Sequence, residues 1–379
     1  MTQLSYMMLK SKALMNENIL SYDKIEAQMI AGVAIIMMLV HHFFGFADYR
    51  LDGNWIYEPV KIGGVSVERI FASAGKLCVA IFAFSSGYAI WVNRKSFAGY
   101  KSIGKRALKF LLNYWIILAA FLIYAIIIGD NVPSGQDLIH NIYGVDTGPH
   151  EPYVNVAFAW YVVFYVSLLV MTPLLIRIFS RPNRGGGVDI ALLLCFALMP
   201  TLIGMSFLSK INAVPIEVIF GTLVSSIIGL LVAKWKIFDC MRRMIGSHAF
   251  IKGFFIAVFV LILRQIGLLT IGQTDISDAL FAMLFCFGLL LMFEKINGTR
   301  IATILSFLGI YSMNLWFLHG IFFTGTRPLQ VLLYYPRVSI LILIWGLILL
   351  IPVAMLFAWI QKHAWNSLSK LRIKSLSSR

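Results

Sequence analysis

Residues 34–46 read AIIMMLVHHFFGF: an unbroken apolar run leads into two adjacent histidines, and phenylalanine dominates the residues after them. Extended backwards through QMIAGV (28–33), the stretch holds about 20 residues, which at about 1.5 Å per residue crosses roughly 30 Å of hydrocarbon as a helix. An imidazole at that depth is costly unless the protein uses it. The stretch therefore predicts both a membrane span and a place to look for chemistry.

The rest of the chain extends the first prediction. Of 379 residues, 60% are hydrophobic and 13% charged, and mean hydropathy is +0.84. A soluble domain carries about a quarter charged residues. Apolar windows of spanning length recur at 28–46, 70–93, 107–128, 155–176, 188–208, 214–233, 249–271, 277–293, 301–323 and 338–360. The expectation is an all-α, polytopic integral membrane protein of ten spans. Its single membrane domain covers 28–360, between a leader (1–27) and a basic tail (361–379). The leader has neither a continuous apolar core nor a small-residue cleavage site, so it reads as a soluble leader and not a removable signal peptide.

The net charge of +15 is distributed, not gathered. With the N-terminus inside, inner segments carry Lys10, Lys12 and Lys24; Arg94, Lys95, Lys101, Lys105 and Arg106; Arg177, Arg181 and Arg184; Lys234, Lys236, Arg242 and Arg243; Lys295 and Arg300; and the tail KLRIKSLSSR. Outer connections carry only Arg50, Lys61, Arg69, Lys210, Arg327 and Arg337, and the segment 130–155 has four acids and no Lys or Arg. This alternation follows the positive-inside rule and places both termini in the cytoplasm. It accounts for the basic balance without nucleic acid. Cys78, Cys195, Cys240 and Cys286 have no paired spacing, so neither a disulfide framework nor a metal site is expected. The glycines of RPNRGGG (181–187) lack the Lys-Ser/Thr ending of a phosphate loop.

Ionisable residues read within spans are His41 and His42 in the first, Lys76 in the second, Arg264 in the seventh and His319 in the ninth. The expected topology puts all five in the outer half of the membrane. Taken singly, an interfacial histidine or a snorkelling lysine explains any of them. Taken together they suit catalysis. A desolvated imidazole tends to be neutral and can take a proton from a hydroxyl attacking a carbonyl, while Lys76 or Arg264 stabilises the developing oxyanion. Proton relay fits these residues as well as acyl transfer does. Neighbouring helical residues point about 100° apart, so one of His41 and His42 faces the chemistry and the other serves the structure.

The wording of five blocks separates these readings. GVAIIMMLVHHFF (32–44) resembles the first span of the membrane acyltransferase 3 family, particularly bacterial polysaccharide O-acetyltransferases. In the same order, GKLCVAIFAFSSGYAIW (75–91) resembles the family's second span, and YKSIGKRALKFLLNYW (100–115) its basic approach to the third. AWYVVFYVSLLVMTPLL (159–175) resembles the Trp-aromatic span ending at proline, and LSFLGIYSMNLWFLHGIFF (305–323) the late Ser-Met-Asn-x-Trp block with its following His.

The resemblance implies a cytoplasmic acyl-CoA donor, with acetyl-CoA expected. It also implies transfer to a hydroxyl of a lipid-linked or cell-surface polysaccharide, in the bacterial inner membrane. The essential first-span histidine maps to His42, with His41 next, acting as general base or transient acyl carrier. Lys76 or Arg264 would stabilise charge and His319 would orient the acceptor. Lys105, Arg106 and Lys109 would hold the phosphates of coenzyme A, with Arg106 and Lys109 on one helical face; the positive-inside rule is their plainer explanation. Trp160, Tyr161, Asn314 and Trp316 are candidates to line a substrate path, against a plainer reading as helix packing. Ser85 has no identifiable base beside it and is not expected to be a nucleophile. One departure stands out: the family's basic residue eleven positions before the histidine falls here on Ala31. The same sequence supports two rival readings, a transporter or flippase for lipid-linked saccharides and an inactive family member in an envelope complex.

Overall fold

In hydrocarbon no water serves backbone polar groups, so a chain this apolar must satisfy them internally, and helices do that segment by segment. The computed structural model describes residues 22–46, 56–145, 155–181, 185–204, 216–270, 275–322 and 327–377. Its helices of eight residues or more, in chain order, are α1 (Lys24–Gly45), α2 (Val67–Gly75), α3 (Cys78–Val92), α4 (Tyr100–Ile128), α5 (Gly135–Tyr143), α6 (Trp160–Phe179) and α7 (Gly186–Gly204). They continue with α8 (Ile216–Lys234), α9 (Ile237–Ile245), α10 (Ala249–Thr270), α11 (Asp275–Ile296), α12 (Arg300–Leu318), α13 (Arg327–Tyr334) and α14 (Ser339–Ser377). A two-residue ribbon pairs Lys61–Ile62 with Val65–Ser66.

Among the described residues, eight helices are long and apolar enough to cross a membrane, with α2 and α3 counted as one. The expected spans 188–208 and 214–233 coincide with α7 and α8, whose described apolar stretches are shorter. Of the charges used for the topology, Lys10, Lys12, Arg50, Asp146, Glu151, Arg184, Lys210 and Arg379 lie outside the described residues.

Three elements differ from the sequence reading. The second span, expected unbroken over 70–93, is interrupted at Lys76–Leu77. The third begins at Tyr100, so Lys105, Arg106 and Lys109 ride on the first turns of α4. The last helix continues well past 360, to Ser377.

The chain divides into two compact units. The first comprises residues up to Gly45, then 62–98 and 174–312. Its α1 starts in a capping box: Asp23 Oδ1 accepts from Ile25 N (2.8 Å) and Glu26 Oε2 accepts from Asp23 N (3.2 Å). Just before the cap, Tyr22 donates to Ser85 Oγ at 2.7 Å with its ring 4.3 Å from that of Tyr88, and burial pushes its phenol well above the ordinary value. The helices α3 and α8 cross closely because Gly87 and Gly229 carry no Cβ. One on Gly87 would strike the Ser226 backbone, and one on Gly229 the Phe84 carbonyl.

The second unit comprises 46–61, 99–173 and 313–379. There α4 and α5 are tied by Tyr114 donating to the Asn141 carbonyl and by Trp115 Nε1 donating to that of Ile142 (2.9 Å). Gln361 Nε2 donates to Asn314 Oδ1 (3.0 Å) and to the Asn113 carbonyl (3.1 Å), linking α14 to α12 and α4.

Candidate active site

In the first unit, the chemistry-bearing residues gather around the broken second span. The end of a helix leaves its last carbonyls without intrahelical partners, and such groups at membrane depth must be satisfied by protein. Here Lys76 N and Leu77 N reach the Ser73 and Ala74 carbonyls (3.3 and 3.2 Å) in a tightened turn, and two other helices add donors. His41 Nδ1 lies 2.8 Å from the Ala72 oxygen, and Arg264 Nη1 donates to the Ser73 oxygen at 2.7 Å. Gln265 Nε2 donates to the Ile70 oxygen at 2.8 Å, and Ser73 Oγ donates to Gln265 Oε1 at 3.2 Å. Gly75, in the last turn, allows α2 to lie directly on α1 at Met37 and His41. Lys76 is half-buried in the break itself.

Arg264 is buried and faces Asp278 of α11, Nε to Oδ1 at 2.7 Å and Nη2 to Oδ2 at 2.9 Å. This is a fork-to-fork geometry, stronger and more directional than a point-charge contact. The guanidinium is thus engaged on three sides by Asp278 and Ser73. Its visible work is to hold α10, α11 and the end of α2 together.

The two first-span histidines divide as their 100° separation requires. His41 reaches across to α2, whereas His42 is buried, with Nδ1 3.1 Å from Met38 Sδ one turn back and its ring 4.8 Å from that of His41. A carbonyl oxygen can only accept, so His41 Nδ1 carries the proton in that bond; the His42 Nδ1 faces a thioether sulfur, a weak acceptor.

In the second unit, His319 opens the short 3₁₀ turn His319–Phe322 after α12 and is fully buried. Its Nδ1 bonds the Trp316 carbonyl, so Nε2 is the basic nitrogen. Its ring stacks on Phe158 at 5.5 Å and 10°. Phe158 holds φ at 63°, a left-handed backbone that costs a side-chain-bearing residue about 1–2 kcal/mol, and such outliers gather at functional sites.

From there an aromatic series runs through this unit. Trp316 Nε1 donates to the Phe158 carbonyl (3.3 Å), and Tyr161 lies 5.1 Å from Trp316. Tyr165 stacks on Tyr161 at 6.5 Å, and Phe110 lies 4.6 Å from Tyr165. Phe110 is next in the chain after Lys109, and Lys105, Arg106 and Lys109 are all exposed. Trp160 packs edge-on to Tyr161 at 5.9 Å. Asn314 is tied differently: its amide donates to the Ala354 carbonyl at 3.1 Å while Gln361 fills its oxygen, which makes it a tether between helices.

The sequence reading overlooked Asp278, Gln265 and Phe158. The signal for Asp278 is an acid at the second position of the expected span 277–293, the next after the one that bears Arg264, where the preceding polar run QTDIS makes it resemble an end charge. Among the described residues no cluster of three His, Cys, Asp or Glu side chains suits a metal ion.

Residues 30–360 match the acyltransferase domain that defines the acyltransferase 3 family. The chain belongs to the acyltransferase 3 family. No curated protein and no solved structure gives a significant match. The family match spans most of the chain and includes the histidine-bearing first span, the basic start of α4 and His319. With its long apolar helices, this acyltransferase 3 member is a membrane acyltransferase.

Proposed function

We propose that this protein moves an acyl group, acetyl in the simplest case, from a cytoplasmic acyl-CoA to a hydroxyl of a cell-surface or lipid-linked polysaccharide, with both termini inside and ten spans in a bacterial inner membrane. His42 is the base. Its Nε2 takes the proton of the attacking hydroxyl as the new C–O bond forms and the thioester C–S bond breaks, and the proton then passes to the departing CoA thiolate. In the variant route, Nε2 itself carries the acyl group between thiolate and hydroxyl. Lys76, at the break in the second span, supplies positive charge to the developing oxyanion. Lys105, Arg106 and Lys109, exposed at the start of α4, hold the phosphates of the donor. His319, with Trp316 and Tyr161, contacts the acceptor or the acyl chain, and Trp160 supports Tyr161.

The observation that carries this reading is His42: an imidazole buried in the first span of a family acyltransferase, with Nδ1 beside Met38 Sδ. Purified protein in nanodiscs, given radiolabelled acetyl-CoA and a lipid-linked glycan, is expected to label the glycan and release CoA in step. A flippase would move the glycan with no CoA release dependent on His42. Ala31, standing where the family carries a cation, favours one second reading, an inactive member retained in a complex. Such a protein would neither bind acetyl-CoA nor alter surface acetylation when deleted.

A further inference from the structure

Arg264 makes three side-chain hydrogen bonds inside the first unit, and acyl transfer does not call for them directly. Asp278 and Arg264 are both buried, and a buried pair of charges is an expensive way to join two helices. Well-packed apolar residues would join α10 to α11 at no such cost. What an apolar pair cannot do is present a directed N–H to a carbonyl. Arg264 presents one to Ser73, beside the Ala72 carbonyl that receives His41, and Gln265 supports the same turn through Ile70 and Ser73. We infer that Asp278 is a positioning residue: by orienting Arg264 it fixes the end of α2, and through the Ala72 carbonyl it sets the His41 ring against His42.

The chain of contacts is continuous and each link is directional. Asp278 fixes the guanidinium plane with two parallel bonds, which leaves Nη1 aimed at Ser73. Ser73 and Ala72 are adjacent, so the turn that accepts from Arg264 also fixes the carbonyl that holds His41 Nδ1–H. His41 is next to His42 in sequence and 4.8 Å away ring to ring. If the Arg264 plane rotates, the end of α2 loses a bond on the side where the helix is already broken, and the His41 ring is freed to turn or change tautomer. The role assigned to the site rests on the acyltransferase reading of His42; the positioning itself does not.

The test uses full-length protein in nanodiscs with ¹⁵N-labelled histidine, His41 being assigned by comparison with His41→Gln. Wild type and Asp278→Glu are expected to show the Nδ1–H tautomer at His41. Asp278→Asn is expected to show a mixture, with kcat for CoA release down about 10–100-fold and the KM for acetyl-CoA within about twofold. Asp278→Asn strands a buried guanidinium and can unfold for that reason alone, so the double variant Arg264→Met/Asp278→Leu restores an apolar contact while removing the bond to Ser73. A folded double variant that keeps the wild-type tautomer and kcat overturns the inference; one that folds, loses the tautomer and loses kcat with KM unchanged upholds it. If the tautomer shifts as stated but CoA release never depended on His42, the acyltransferase reading fails and the positioning stands.

Discussion

His41 donates its Nδ1 proton to the carbonyl of Ala72 across 2.8 Å, tying the first span to the last turn before the break in the second. That bond separates two histidines that sequence alone leaves equivalent. His41 has a structural acceptor on another helix, while the Nδ1 of His42 turns back to Met38 of its own helix.

Replacement of His41 is therefore expected to be graded. His41→Gln keeps a side-chain N–H able to reach Ala72 but removes the ring set against His42, and should lower kcat by about 10–100-fold. His41→Leu removes the donor and should also cost about 1–3 kcal/mol of stability, because a buried carbonyl loses its partner. Turnover and thermal unfolding of the two variants in one detergent check this. Equal effects would mean the hydrogen bond is not what His41 contributes.

Gly75 tests the contact geometrically. A Cβ there meets the Met37 carbonyl oxygen and comes within 3.1 Å of His41 Cβ. Gly75→Val should force α1 and α2 apart and cost about 1–3 kcal/mol, with loss of activity beyond the loss of folded protein. A variant as stable and active as wild type would show that the close approach is not needed.

The aromatic series in the second unit begins beside Arg106 and Lys109. Arg106→Ala is expected to raise the KM for acetyl-CoA by about tenfold with kcat nearly unchanged, the pattern of a binding contact that is equal in ground and transition states. Initial rates over a range of donor concentrations measure it. An unchanged donor dependence would return Arg106 to a purely topological role.

Ala31 gives a gain-of-function test. It is half-buried on α1, eleven residues before His42, where the resemblance to the family implies a cation. Ala31→Arg should increase turnover measured as CoA release. No increase would mean that another cation, such as Lys76, already does that work.

The fold was largely legible because lipid imposes one solution on apolar chains: long helices with charges at their ends. The break at Lys76–Leu77 was not legible, since GKLCVAIF has no proline and reads as continuous helix. At the break the backbone tightens to bonds from Lys76 N to Ser73 and from Leu77 N to Ala74, and His41, Arg264 and Gln265 add donors from other helices to the same turn, none of which a local pattern announces. Similarly, polarity at membrane depth pointed to His41, His42, Arg264 and His319, but nothing local indicated that Arg264 faces Asp278 or that Asn314 is filled by Gln361. Partners across helices come from packing, which a linear pattern does not record. The resemblance in five blocks supplied the family, and the match over 30–360 bears it out.

The most direct measurement is CoA release from acetyl-CoA by His42→Gln beside wild type, both reconstituted in nanodiscs with a glycan acceptor and matched for folded protein. Glutamine keeps the bulk and polarity of the site but cannot accept the proton. A general base contributes about 10²–10⁴-fold, so release should fall to background while acetyl-CoA still binds. Turnover within about twofold of wild type would contradict the assignment of His42 as the residue that moves the proton.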